Sequence, residues 1–165
     1  MTKLAFLGMG VMGYPMAGHL ADKGFDVKVY NRNFAKAKAW VKEHGGASSK
    51  TPREAADGAD IVFACVGNDD DLRSVVLGVD GALAGMAKGS IFVDHTTTSA
   101  TVAIELAGLT EAADIGFIDA PVSGGQAGAE KGQLTVMCGG SQANYDRVQD
   151  YINSFAKSCR LIGEQ

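Results

Sequence analysis

Short apolar runs of strand length alternate along this chain with longer stretches whose apolar positions recur at helical spacing. The runs Lys3 to Leu7, Asp26 to Tyr30, Ile61 to Val66, Ser90 to Asp94, Gly116 to Asp119 and Leu134 to Cys138 predict strands, with Ser158 to Ile162 a further candidate. Helices are predicted from Met12 to Lys23, from Phe34 to His44, from Pro52 onward, and over Asp70 to Leu77, Ser99 to Glu111 and Gln142 to Ser154. Gly24 and the Gly45-Gly46 pair suit helix ends, Thr51 suits an N-cap, and Pro15 falls in an opening turn, where a missing N–H does little harm. Strand and helix in alternation predict βαβ units: an α/β, doubly wound, mostly parallel sheet with helices on both faces. No internal repeat, low-complexity tract or linker divides the chain, so one domain is expected over residues 1–165.

Composition narrows the function more than the fold. A chain of 165 residues with 46% hydrophobic and 21% charged residues can bury a core of its own, which excludes a disordered or fibrous class. The net charge of −4 comes with no basic block, so nucleic acid and anionic membrane are not expected partners. The short apolar start leads straight into glycines, with neither a signal-peptide pattern nor a run long enough to span a bilayer, and a cytoplasmic location is expected. Cys65, Cys138 and Cys159 are far apart in sequence and lack C-x-x-C spacing, which favours small buried hydrophobes over metal or redox roles.

The chemistry gathers at strand ends. Gly8-Met9-Gly10-Val11-Met12-Gly13 has G-x-G-x-x-G spacing, follows a strand, opens a helix and precedes a second strand, the context of a dinucleotide fingerprint. Gly8 permits the turn, Gly10 lets the main chain approach a pyrophosphate, and Gly13 lets the helix pack closely on the strand. A ligand-free glycine turn, FAD or another adenosyl ligand are the competing readings. At the end of the second strand Asn31-Arg32-Asn33 offers no carboxylate for a ribose 2′-OH, whereas Arg32 could pair with a 2′-phosphate, so NADP is favoured and NAD remains possible.

Val66 and Gly67 are placed to pass beneath the cofactor ribose, and Asp69, Asp70 and Asp71 read first as residues that cap and charge a helix start, with Asp71 also counted in the cofactor set. The loop His95-Thr96-Thr97-Thr98-Ser99 offers hydroxyls to a carboxamide, ribose or carboxylate. Ser99 also suits an N-cap, and His95 reads as a structural or surface residue. Asp119-Ala120-Pro121-Val122-Ser123-Gly124-Gly125 ends another strand with a serine and two glycine amides that suit a carboxylate.

Together these segments resemble the β-hydroxyacid dehydrogenase family, the 3-hydroxyisobutyrate dehydrogenase-like enzymes, in its Rossmann-type cofactor domain. The resemblance runs from Lys3 to the last residue. Phe6 to Gly13 looks like the family's cofactor signature, Asn31-Arg32 like its NADP-type variant, and Asp119 to Gly125 like its substrate signature; Gly67 stands where many relatives carry proline. The resemblance implies hydride transfer between nicotinamide and C3 of a short 3-hydroxy carboxylate. Thr96 would stand at the nicotinamide end, and Ser123, Gly124 and Gly125 would bind the substrate carboxylate. It also implies an acid/base lysine on the first helix of a second, all-helical domain that supplies much of the contact in a homo-oligomer. The chain reaches Gly163-Glu164-Gln165 where that helix would begin, and none of Lys3, Lys23, Lys131 or Lys157 falls at the matching place. The lysine is therefore expected beyond Gln165, and this piece is expected to lack turnover. A phosphogluconate-type dehydrogenase domain and a non-catalytic nucleotide-binding module are the alternatives, the former lacking a basic cluster near Ser123.

Overall fold

In the computed structural model, which describes residues 1–164, six parallel strands joined by five helical crossovers form the frame. The elements are β1 (Lys3–Leu7), α1 (Gly13–Asp22), β2 (Asp26–Tyr30), α2 (Phe34–His44), β3 (Ala47–Ser48), α3 (Pro52–Ala56), β4 (Ile61–Ala64), α4 (Asp69–Val76) and α5 (Ala82–Gly85). They continue with β5 (Ile91–Asp94), α6 (Ala100–Ala112), β6 (Gly116–Asp119), β7 (Val122–Ser123), α7 (Gly125–Lys131), β8 (Leu134–Gly139), α8 (Gln142–Ile152) and β9 (Ala156–Gly163). The sheet order is β3-β2-β1-β4-β5-β6-β8-β7, with β9 also paired to β8.

Pairing is parallel from β3 through β6 and reverses at β8, which runs antiparallel to β6 and β7, while β9 lies parallel to β8. The chain steps outward on both sides of β1, so the carboxyl ends of β1 and β4 diverge into a crevice, the usual ligand position in such sheets. Strand alternation explains why both faces are covered. Leu4 and Phe6, Ile61 and Phe63, and Ile91 and Val93 enter one core with Met16, Leu20 and Trp40. Ala5 and Leu7, Val62 and Ala64, and Phe92 enter the other, against Leu72, Val75, Val102 and Leu106.

The structure extends and trims the expected elements. Four were missed: β3, α5, β7 and α7, each short, and none carrying a periodic apolar stripe long enough to read. β4 stops at Ala64 rather than Val66, because the chain turns away from the ladder to line the crevice. The acidic run does not cap α4. Asn68 does, accepting from the Asp71 amide at 2.9 Å, and Asp69, Asp70 and Asp71 form the first turn, where their charge complements the positive end of the helix dipole. Thr51, Ser99 and Ser141 supply the N-caps of α3, α6 and α8. Cys138 and Cys159, far apart in sequence, meet on β8 and β9 with Sγ atoms 3.7 Å apart.

Candidate dinucleotide-binding site

The crevice at the carboxyl ends of β1, β2 and β4 has a volume of about 360 Å³. Its floor is the turn after β1. Gly8 has φ +102°, and its amide donates to the Tyr30 carbonyl at 2.8 Å, fastening β1 to the end of β2. A Cβ on Gly8 would collide with the Cys65 carbonyl, and one on Gly13 with the carbonyl oxygen of Gly8, so any side chain at either position would push the layers apart. A Cβ on Gly10 would meet nothing within 4 Å. Two glycines thus close the turn, and the third leaves the backbone bare toward the crevice.

α1 begins with Met12 as N-cap, which makes no side-chain hydrogen bond, and its first turn carries no acidic residue. The positive end of the helix therefore faces the crevice uncovered, and an anion there meets both backbone amides and helix dipole.

Asn31 stitches this turn to the next. Its Oδ1 accepts from the Met9 amide at 2.8 Å, while its Nδ2 donates to the Asn33 carbonyl at 3.0 Å. Asn33 in turn caps α2, accepting from the Ala35 amide at 3.1 Å. Arg32 is free to act outward: its side chain is 86% exposed, and Nη1 lies 3.5 Å from the Asp71 carboxylate on the opposite rim. Asp71 also packs directly against Gly67, where a Cβ would overlap its carboxylate.

The far wall is Cys65, Val66 and Gly67. Burial and the Asp94 charge push the Cys65 thiol up to about 12, which leaves it neutral. The Val66 amide donates to Thr96 Oγ1 at 3.0 Å, and the Thr96 amide donates to Asp94 Oδ1 at 2.9 Å. Thr96 is only 2% exposed, so its hydroxyl supports the wall from behind. His95 is buried as a core residue, its Nδ1 bonded to the Ala120 carbonyl at 2.7 Å and its pKa lowered to about 4 by burial.

The crevice thus unites Gly8, Gly10, Val11, Met12 and Gly13 with Asn31 and Arg32, and these with Val66, Gly67 and Asp71. Met9 and Thr96, both buried, stand behind its lining, and the exposed Asn33 lies outside it at the start of α2. Ser123, Gly124 and Gly125 lie outside it, exposed, with Gly124 at φ +130° and Gly125 at φ +63° where β7 passes into α7. Sequence reasoning did not assign Tyr30, Cys65, Ser74 and Val75 to the lining. Tyr30 and Cys65 close β2 and follow β4, so strand-end position could have found them; Ser74 and Val75 face the crevice only through the placement of α4. A larger cavity of about 810 Å³ opens at the amino ends of β5 and β6, between α6 and α8, away from the glycine turn.

Sheet order, glycine turn and uncapped helix end define a Rossmann-type dinucleotide-binding domain. The sequence pattern of the NAD binding domain of 6-phosphogluconate dehydrogenase matches residues 3–163. The chain belongs to this family, as the N-terminal cofactor-binding domain of the β-hydroxyacid, 3-hydroxyisobutyrate dehydrogenase-like type. It is 59% identical over 163 residues to an uncharacterized oxidoreductase of Shewanella frigidimarina, covering 99% of this chain and 56% of that one. It is 40% identical over 139 residues to a probable 3-hydroxyisobutyrate dehydrogenase-like protein of Arabidopsis thaliana described as mitochondrial, covering 84% and 46%. Among solved structures, 3-hydroxyisobutyrate dehydrogenase of Mycobacterium tuberculosis with L-serine superposes with a TM-score of 0.92 at 32% identity, covering 99% of this chain and 55% of that one. The chain spans about half the length of these relatives.

Proposed function

We propose that this chain binds NADP in preference to NAD, as the cofactor domain of an oxidoreductase that acts on C3 of a short 3-hydroxy carboxylate such as 3-hydroxyisobutyrate. The observation that carries the reading is the combination of an uncapped α1 N-terminus, open space at Gly10 and an outward-facing Arg32 at a β2 end that lacks a carboxylate. The amides of the turn and the helix dipole hold the pyrophosphate, and Arg32 pairs with the 2′-phosphate. The bound nicotinamide supplies hydride chemistry. Val66 and Gly67 form the wall against which the ribose rests, and Thr96 backs that wall on the side of β5.

In this reading Ser123 and the amides of Gly124 and Gly125 receive the substrate carboxylate, since successive glycines at positive φ can turn their N–H groups to one side. Asp119 to Gly125 carries no basic side chain, which favours an unphosphorylated acid over a phosphogluconate. Among the described residues no lysine lines the crevice. The acid/base lysine that this chemistry requires is proposed to come from outside the crevice. A cytoplasmic location and a homo-oligomeric state are part of the same proposal. No helix among the described residues is long and apolar enough to cross a membrane.

The test is a titration with NADPH and then NADH, followed by cofactor or Trp40 fluorescence. NADPH is expected to bind at least tenfold more tightly, and Arg32→Asp to abolish or reverse that preference. Equal affinity for both cofactors, unaltered by the substitution, sinks the NADP assignment; no binding of either at millimolar concentration sinks the cofactor reading for this chain.

A further inference from the structure

Beyond Ala64 the chain leaves the ladder, yet the half-buried Val66 amide of the crevice wall still needs an acceptor. The neighbouring strands do not provide it: the Cys65 amide still donates to the Leu7 carbonyl at 3.0 Å, and the His95 amide to the Ala64 carbonyl at 2.8 Å, but Val66 turns to the Thr96 hydroxyl. Thr96 is itself held in place. The Asp94 carboxylate accepts from the Thr96 amide at 2.9 Å. A relay of three residues therefore runs from the end of β5 to the wall of the crevice.

We propose that Asp94 is a positioning residue for the cofactor: its carboxylate holds Thr96 against the Val66 backbone and thereby sets the place of the wall that Val66 and Gly67 present to the ribose. This inference rests on the cofactor reading above. Asp94 is fully buried, and its second oxygen, Oδ2, has no hydrogen-bond partner among the described residues. An ionised oxygen in such a place is costly, so the charge is not there to stabilise the core.

The surroundings make the relay sensitive to protons. Burial is the largest cause that raises the Asp94 carboxyl, to about 7; the Thr96 bonds oppose it, and Asp119 of β6 and Asp69 of α4 add to it. Asp119 is the register partner of Asp94 and is itself raised by burial, whereas Asp69 is lowered by its bonds from the Ser99 hydroxyl and amide. Cys65 and His95, the other titratable neighbours, are both held neutral near pH 7. Ionised, Asp94 accepts strongly from the Thr96 amide; protonated, it accepts weakly. Cofactor affinity should therefore rise as pH passes upward through about 7.

The experiment measures NADH binding from pH 5.5 to 8.5 in wild type, Asp94→Asn, Thr96→Val and Thr96→Ser, with thermal melts recorded on each. NADH is used because the 2′-phosphate of NADPH titrates in the same range. Wild type is expected to bind about threefold to tenfold more tightly at high pH, and Asp94→Asn to lose that dependence while staying folded. Thr96→Val is expected to weaken binding about tenfold at pH 8, and Thr96→Ser, which keeps the hydroxyl, to restore it. The inference is overturned if folded Asp94→Asn keeps the inflection, or if Thr96→Val binds as wild type does; should Asp94→Asn fail to fold, the Thr96 pair decides. Wild type that binds neither NADH nor NADPH removes the cofactor reading itself, whereas wild type that binds alongside indifferent variants removes only the role of Asp94.

Discussion

The carboxyl edge of the sheet has two halves of different character. At β1, β2 and β4 the surface is built from glycine backbone, an uncapped helix end and Arg32, a set that attracts anions. At β5 and β6 the strand ends carry Asp94 and Asp119, register partners, both with carboxyl groups pushed upward by burial. One half offers backbone amides and a guanidinium to negative charge; the other holds carboxyl groups whose proton affinity burial raises. The contrast teaches that affinity and pH response in one crevice can arise from different strands and be altered separately.

The hardest way to break the first half is Gly13→Ala. Its Cβ would overlap the Gly8 carbonyl, which is backbone and cannot swing aside, so a loss of about 4 kcal/mol or more and of cofactor binding is expected in denaturant melts. The second half should show itself in stability against pH. The folded Asp94 carboxyl lies near 7 against an ordinary 3.8, so its contribution is complete below about pH 4 and is lost as pH rises through 7. From pH 5 to pH 8 that loss is on the order of 2–3 kcal/mol, and Asp94→Asn should flatten that part of the profile; an unaltered slope would remove Asp94 as its source. Asp119, raised in the same direction, should leave a residual slope of the same sign.

Gly125→Ala sharpens the contrast with Gly13. Its φ of +63° disfavours a side chain, but nothing lies within 4 Å of the added carbon, so about 1 kcal/mol should be lost with cofactor affinity unaltered. The smallest effect is expected from Asp71→Asn. Removing the acid 3.5 Å from Arg32 frees the guanidinium, and NADPH should bind about threefold more tightly at low salt with NADH unaffected. Equal gains for both cofactors would show that Asp71 acts on the wall at Gly67 rather than on Arg32.

Much of the first half was legible because its signals are local. A strand, three glycines and a helix within a few residues can be read in order, and the backbone conformation each glycine needs is a property of that residue. The second half was less legible. The orientation of β8, the meeting of Cys138 with Cys159 and the position of Ser74 and Val75 depend on partners distant in sequence. Asn31 and Asn33 show the limit most clearly: at the end of β2 both suit contact with a cofactor ribose or phosphate, and the structure adds that Asn31 bonds the glycine turn while lining the crevice and that Asn33 caps α2. An amide has the same hydrogen-bonding capacity toward a ribose as toward a backbone, and only the fold shows which backbone lies nearby.

By itself, then, the order of residues determined the alternating βα architecture, the glycine turn and the absence of a carboxylate at the end of β2, because periodicity and backbone preference act over a few positions. Tertiary structure alone decided that one oxygen of Asp94 lacks a partner among the described residues, that Thr96 stands behind Val66, and that Asp71 faces Arg32. Burial and pairing between residues about 30 to 40 positions apart exist only once the strands are side by side, and these set the charge and the shape of the crevice.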